Sequence, residues 1–393
     1  MRLVWLFALL GLLPLLIFKY YNFLNNSISD GLAAIGLQFS LPGLNWAVPV
    51  GISFFTFQAV GYMLDVYHGR IQKESNFLDY VLFVSFFPQV ASGPISKASE
   101  LLPQIKTPKF FNYDQAVSGL RYLLWGMFLK VALADRAGIY VDTVFAEYSN
   151  FSGAGFFLGS LLYSVQIYAD FAGYSLMAVG LGKTLGFDLI NNFKRPYFSV
   201  SITDFWRRWH ISLSRWLKDY VYIPLGGSHC SKLRNYWNIF VTFLVSGIWH
   251  GANWTFIVWG ILHGLCQIIE KMFGWNKNDY KGLARFGRIV LTFLIVTIAW
   301  TIFRSPSIGD TLGYFSRYLS TSGTLIAEGS TLVYIIIALT PVVIYEVMTE
   351  FFPAIYNKLY GKQWLRWCAY LAVFTMLMLN GVFDGSSFIY VSF

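Results

Sequence analysis

Apolar runs separated by charged or turn-rich breaks set the pattern of this chain. They fall near residues 3–18, 46–64, 77–93, 116–135, 154–181, 236–250, 254–270, 286–303, 331–349 and 364–382. Their lengths bracket the roughly 20 residues that a helix needs to cross the hydrocarbon of a bilayer. Only helices and closed barrels satisfy their backbone in lipid. The expected fold is therefore all-α: a polytopic membrane helical bundle of about 10 membrane segments, with residues 1–393 as a single membrane domain. The first run ends in Phe18-Lys19-Tyr20-Tyr21 rather than a small-residue cleavage site, so it reads as a helix and not a signal peptide. No internal repeat appears, and the Gly- and Ser-rich stretch from Ser320 to Ser330 reads as a loop.

Residues 202–217 depart from the spanning pattern. Ser201 followed by Asp204 forms a plausible capping box at the start of a helix. Trp206, Trp209, Leu213, Trp216 and Leu217 recur at helical spacing on one face, while Arg207, Arg208, Arg215 and Lys218 crowd the other. A Trp-rich face opposite a basic one describes an interfacial amphipathic helix lying at the membrane surface. The tryptophans then serve as anchors. The arginines suit the phosphates of a cytoplasmic donor, because guanidinium forks match phosphate oxygens. His210 sits on the border of the two faces, and Ile223-Pro-Leu-Gly-Gly227 ends the segment as a turn.

Composition agrees with a membrane protein: 56% of residues are apolar and only 12% charged, about half the charge of a soluble domain. Cys230, Cys266 and Cys368 form no zinc or disulfide spacing, and the last two lie in apolar runs as small core residues. The net charge of +9 reports loop orientation rather than nucleic-acid binding. Residues 183–234 hold nine basic residues against three acids, which places them in the cytoplasm. Counting spans from there puts 94–115, 271–285 and 350–366 inside and 304–330 outside, in keeping with their Lys and Arg content. Arg2 falls on the outer side, which implies a re-entrant early segment or further helices upstream.

His250, in Ser246-Gly-Ile-Trp-His250-Gly-Ala-Asn-Trp254, is the strongest candidate for chemistry. An ionisable side chain at membrane depth is costly and marks a functional site by default, and an imidazole exchanges protons near neutrality. Gly247 and Gly251 leave the backbone room to approach a substrate or a neighbouring helix. The competing interpretation is a core histidine bonded to a facing helix. The runs on either side, 236–250 and 254–270, are short, which suggests a shallow hairpin with His250 at the floor of a cavity. Asn253 is placed to bond the imidazole or a substrate carbonyl. His263 is better read as structural. Asp170, the one acid of the 154–181 run, either orients a histidine or pairs with an Arg or Tyr; Gln58 and Asp65 read as helix–helix polar contacts. No Gly-x-Ser-x-Gly, P-loop, dinucleotide or metal-spaced motif is present.

These residues resemble the membrane-bound O-acyltransferase family, and within it the bacterial polysaccharide O-acetylation branch. The resemblance rests on Val48-Pro-Val-Gly-Ile-Ser-Phe-Phe-Thr-Phe-Gln58, Asp65-Val-Tyr-His-Gly-Arg70 and Phe87-Pro-Gln-Val-Ala-Ser-Gly-Pro94. It is strongest in Asn192-Phe-Lys-Arg-Pro-Tyr197, Asp204-Phe-Trp-Arg-Arg-Trp-His-Ile-Ser-Leu-Ser214, Asp219-Tyr-Val-Tyr-Ile-Pro-Leu-Gly-Gly227 and Gly247-Ile-Trp-His-Gly-Ala-Asn-Trp254. The closing Ser387-Phe-Ile-Tyr-Val-Ser-Phe393 also fits. Relative to the family, the N-terminus before Leu12 reads as short.

The resemblance implies a membrane O-acyltransferase that moves an acyl group, acetyl in this branch, from a cytoplasmic thioester through a central tunnel or cavity. The acceptor is then an extracytoplasmic polysaccharide or cell-wall glycan hydroxyl. It implies catalytic roles for His250 and His210, and makes Arg207, Arg208, Asn253, Trp249 and Asp204 the candidate substrate-binding set, with no metal. Arg207 and Arg208, together with Lys194 and Arg195, are expected to meet the donor's phosphates. No tightly bound cofactor is expected; acetyl-CoA or another acyl thioester is the donor substrate. The expected partners are an extracytoplasmic acetyl-accepting or transferring protein and membrane lipids, with no nucleic acid. The expected location is the bacterial inner membrane, multi-pass. Two other classes stand beside this one: a lipid or protein acyltransferase of the same family, and a proton-coupled transporter relaying through Asp170 and His250. Transporters of that class often carry an internal repeat, which is not seen here.

Overall fold

The computed structural model describes residues 2–46, 48–90, 93–277 and 279–383, and its regular structure is helical. Among these residues the nearest approach to a sheet is one isolated bridge between Phe151 and Thr324. The chain begins with α1 (Arg2–Leu15), α2 (Tyr21–Ala33), α3 (Ile52–Tyr67), α4 (Phe77–Val84), the single turn α5 (Phe87–Val90) and α6 (Ala98–Lys106). It continues with α7 (Tyr113–Met127), α8 (Asp135–Ala146), α9 (Gly153–Thr184), α10 (Ile202–Arg208) and α11 (Ile211–Leu217). The remainder carries α12 (Lys232–His250), α13 (Trp254–Met272), α14 (Gly282–Arg304), α15 (Ile308–Arg317), α16 (Gly329–Phe351), α17 (Pro353–Tyr360) and α18 (Gln363–Asn380). Wide π-helical stretches join α1 to α2 (Leu16–Tyr20) and α7 to α8 (Phe128–Ala134), and a third extends α11 (Lys218–Tyr222).

By length and composition, three described helices suffice to cross a membrane: Tyr113–Ala146, Gly282–Arg304 and Gly329–Phe351. Most other apolar runs also coincide with helices, and the 154–181 run with the 32-residue α9. The 46–64 run becomes helical only at Ile52. Gly51 starts that helix at φ +77, where a side chain would collide with the Val90 carbonyl. The expected span at 77–93 is corrected: α4 stops after eight residues and α5 adds one turn containing Pro88. Eight residues rise only about 12 Å, well short of the hydrocarbon thickness. Ala91 and Ser92 of that run, and the closing Ser387–Phe393 stretch, lie outside the described residues.

The centre of the bundle is set by close backbone contact. A Cβ on Gly119 would lie 2.6 Å from the Gly180 carbonyl oxygen, and one on Gly126 would lie 2.7 Å from that of Gly173. Each pair is reciprocal, so α7 and α9 touch at two levels a heptad apart, as small residues allow in lipid-embedded helices. Beside them lies an aromatic core in which Phe171, Phe205, Trp209, Trp259 and Trp300 are fully buried.

The expected interfacial helix over 202–217 is also corrected. The chain breaks between α10 and α11 at Trp209-His210, where His210 adopts φ 43. Asn192 holds the break: its carbonyl accepts the Ile211 N–H at 3.0 Å, and its side-chain oxygen accepts the Ser212 N–H at 3.1 Å. Trp206, Trp209, Leu213, Trp216 and Leu217 do share a hidden face, but each is buried inside the protein. Trp216 stacks on Phe57 at 3.7 Å, and Trp209 packs against Phe193 and Trp300 at 5.0 and 4.9 Å. Helical spacing reveals that a face is hidden; it does not say whether lipid or protein hides it.

Candidate active site

His250 is the last residue of α12 and is 3% exposed. Three aromatic rings approach it: Trp249 at 5.0 Å, Trp259 at 4.9 Å and Phe303 at 5.3 Å between centroids. All three meet the imidazole edge to face, so aromatic rings from α12, α13 and α14 surround it. Gly247 and Gly260 bring α12 and α13 into contact, with a Cβ on Gly260 only 2.5 Å from the Phe243 carbonyl oxygen. The glycines near His250 therefore admit a neighbouring helix. Both α12 and α13 run 19 residues, about 28 Å each. Both helices are thus longer than the apolar runs that predicted a shallow hairpin, because the polar first turns of α12 were not counted with its apolar run.

The end of α12 is held from outside its own sequence. The Lys19 ammonium donates to the carbonyls of Trp249 at 3.2 Å and His250 at 2.8 Å, and the Tyr20 hydroxyl donates to that of Ile248. The last carbonyls of a helix lack intrahelical partners, and a cation there complements the helix dipole. Neither residue was a candidate from the sequence. The available signal was a lysine ending an apolar run.

His210 is fully buried at the αL break. Phe171 meets its ring edge-on at 4.6 Å, with Trp249 at 6.1 Å and Phe54 at 6.5 Å. Neither ring nitrogen has a hydrogen-bond partner among the described residues. A non-glycine residue in this backbone region costs on the order of 1–3 kcal/mol and persists only where its surroundings enforce it. His210 lies outside the expected spanning segments, and burial pushes its pKa down to about 3, so it is neutral at physiological pH. Trp249 contacts both histidines and thereby joins the two catalytic candidates.

The remaining candidates separate by role. Asn253 caps α13, accepting the Thr255 N–H at 3.0 Å, and its amide donates to the Pro306 carbonyl at 2.7 Å. Both bonds hold the start of α13 in place. Asp204 receives the Arg208 guanidinium at 3.1 Å, and its N–H is accepted by Ser201 at 3.0 Å, as the capping pattern anticipated. Arg208 also reaches Glu350 at 3.1 Å, and Glu350 binds Arg195 at 2.7 Å and Arg285 at 3.0 Å. Arg208 is therefore part of an internal ion-pair node, whereas Arg207 is exposed. His263 accepts from the Trp206 indole at 3.2 Å and is a packed core histidine.

Asp170 pairs with Lys130 at 2.7 Å, and Lys130 also reaches Asp135 at 2.6 Å. This partner is a lysine of the π-helical stretch after α7, a residue type not weighed from the sequence. Glu270, not a sequence candidate, reaches from α13 to the start of α10 and accepts the N–H groups of Ile202 at 2.5 Å and Thr203 at 2.9 Å. Asp65 accepts from the Tyr220 hydroxyl at 2.7 Å and pairs with Arg70, a helix-to-helix contact as expected. Cys368 is exposed, not a core residue. A cleft of about 240 Å³ opens among Asp65, Arg70, Ile71, Lys97, Ser99 and Asp219. Lys97 also borders a narrow slot between Phe57, Gln58, Ser212 and Trp216, and Phe57 of that lining packs on the Trp249 indole at 5.3 Å.

Residues 69–305, which include both histidines, match the model of the membrane-bound O-acyltransferase family. The chain belongs to that family. It is 43% identical over 292 residues to a probable alginate O-acetylase of Pseudomonas syringae, covering 74% of this chain and 55% of that protein. It is 37% identical over 307 residues to a peptidoglycan O-acetyltransferase of Helicobacter pylori, covering 71% and 58%. With a teichoic acid D-alanyltransferase of Bacillus subtilis it shares 29% identity over 75% of each chain. The chain spans just over half the length of the alginate and peptidoglycan relatives.

Proposed function

We propose that this chain transfers an acetyl group from a cytoplasmic thioester, acetyl-CoA or a related acyl thioester, toward a hydroxyl of an extracytoplasmic polysaccharide or cell-wall glycan. The observation that carries this reading is His250, a buried imidazole at a helix end inside the family-matched segment. The names of the relatives favour glycan O-acetylation over a lipid acceptor.

In this reading neutral His250 takes the proton of the acceptor hydroxyl as its oxygen attacks the thioester carbonyl. The carbonyl π electrons move onto oxygen, and a backbone N–H near Gly251 steadies that charge. Collapse breaks the C–S bond, and the imidazolium returns its proton to the departing thiolate. The aromatic cage excludes bulk water from the thioester. His210, neutral and in contact with Trp249, positions the donor, while the acceptor's proton passes through His250.

The donor enters at the basic cytoplasmic face, where exposed Arg207 meets its phosphates and Arg208 organises the node that presents it. The cleft at Arg70 and Lys97 leads the thioester arm inward. The membrane helices line a central passage through the inner membrane, and an extracytoplasmic partner protein completes delivery to the glycan. The test is mass analysis of ester groups on surface polysaccharide with and without the gene. Loss of acetyl esters is the expected result; unchanged esters alongside altered lipid acylation would overturn the glycan assignment.

A further inference from the structure

The chain leaves α12 without a capping turn of its own. Gly251 is extended, at φ −172 and ψ 160, so no left-handed residue folds back to satisfy the last carbonyls. Those carbonyls face an apolar cluster in which Leu15, Tyr20 and Ile52 are buried and Ala252 packs against them. Their donors come instead from the π-helical stretch Leu16–Tyr20 of the first helix. Lys19 grips the carbonyls of Trp249 and His250, and Tyr20 grips that of Ile248. The gripped residues are the base itself and the indole that contacts both histidines. A π-helical turn is a rare feature that recurs at functional sites.

We infer that Lys19, assisted by Tyr20, is a positioning residue: it fixes the end of α12 so that the His250 imidazole points at the reacting hydroxyl. The inference rests on His250 being the base. Its contribution is orientation, since both bonds are to backbone and neither requires contact with substrate. Misplacement of a catalytic group by about 1 Å costs on the order of 10²-fold in rate. The effect therefore falls on kcat, while donor affinity is set elsewhere.

The experiment uses the full-length protein purified in detergent, with acetyl-CoA varied and thiol release followed. Lys19→Met, Lys19→Arg, Tyr20→Phe and His250→Ala are compared, each with its thermal midpoint. Lys19→Met is expected to lower kcat about 10- to 100-fold with KM for acetyl-CoA within about twofold. Lys19→Arg, whose guanidinium also reaches two carbonyls, should recover most of that loss, and Tyr20→Phe should lose less than Lys19→Met. Unchanged kcat in Lys19→Met overturns the inference. So does a loss that Lys19→Arg shares equally with a lowered thermal midpoint, which marks a merely structural lysine. Should Lys19→Met fail to fold, Tyr20→Phe decides: full kcat with a native midpoint counts against the clamp. An active His250→Ala protein would instead remove the base assignment, whatever the lysine variants do.

Discussion

Trp249 stands 6.1 Å from His210 and is the neighbour in sequence of His250, whose ring lies 5.0 Å from the same indole. It also packs on Phe54 and Phe57, at 5.8 and 5.3 Å. One side chain thus couples the αL break at His210 to the end of α12. Trp249→Ala is expected to lose about 3–5 kcal/mol of stability and most turnover. Trp249→Phe should keep most of the stability while lowering kcat several-fold. Thermal midpoints and turnover for both variants check this; a Phe variant with full turnover would show that the indole only fills space.

His210 carries a pH signature. Its folded pKa of about 3 lies below the roughly 6.5 of an unfolded imidazole, so the unfolded chain binds the proton first. Stability is therefore lost as the pH falls below about 6.5, by on the order of 2 kcal/mol at pH 5 from this residue. His210→Asn tolerates the same backbone conformation and does not titrate. Its midpoint should decline less than that of the parent between pH 7.5 and 5; an identical decline contradicts the burial account.

Glu350 pairs with three guanidinium groups, those of Arg195, Arg208 and Arg285. Glu350→Gln keeps the shape and removes the charge. The expected cost is about 2–3 kcal/mol, below the full value for a buried pair because the Arg285 side chain is a third exposed. A thermal shift reads it, and adding Arg285→Met should recover part of the loss. A midpoint equal to the parent's would mean that the node is solvated.

The helical character of most apolar runs was legible because a bilayer accepts little else, and three of the described helices are long and apolar enough to cross it. The burial of His250 was legible from an imidazole where the run is otherwise apolar. What escaped was everything decided by long-range contact. Lys19 reads as a boundary lysine until α12 is seen to end beside it. Glu270 is an acid at the end of an apolar helix whose purpose appears only when α10 starts at its carboxylate. The capping role of Asn253 depends on which residue begins α13, which the apolar pattern does not mark. The Trp-rich face of 202–217 was found, but its cover is protein, and periodicity alone does not distinguish protein from lipid.

Arg207 and Arg208 should separate in assay. Arg207→Ala, at an exposed position, is expected to raise KM for acetyl-CoA several-fold with kcat and stability unchanged, as uniform binding requires. That effect should shrink at high salt. Arg208→Ala, which breaks contacts to Asp204 and Glu350, should lower the thermal midpoint instead. Equal behaviour of the two variants would contradict the division of roles.

The most direct test is transfer by His250→Ala, measured in the full-length protein with acetyl-CoA and a glycan acceptor, alongside its thermal midpoint. With His250 as the base, turnover should fall at least about 100-fold while the folded fraction and membrane insertion match the parent. Turnover above about a tenth of the parent's, from a fully folded variant, would contradict the role assigned to His250.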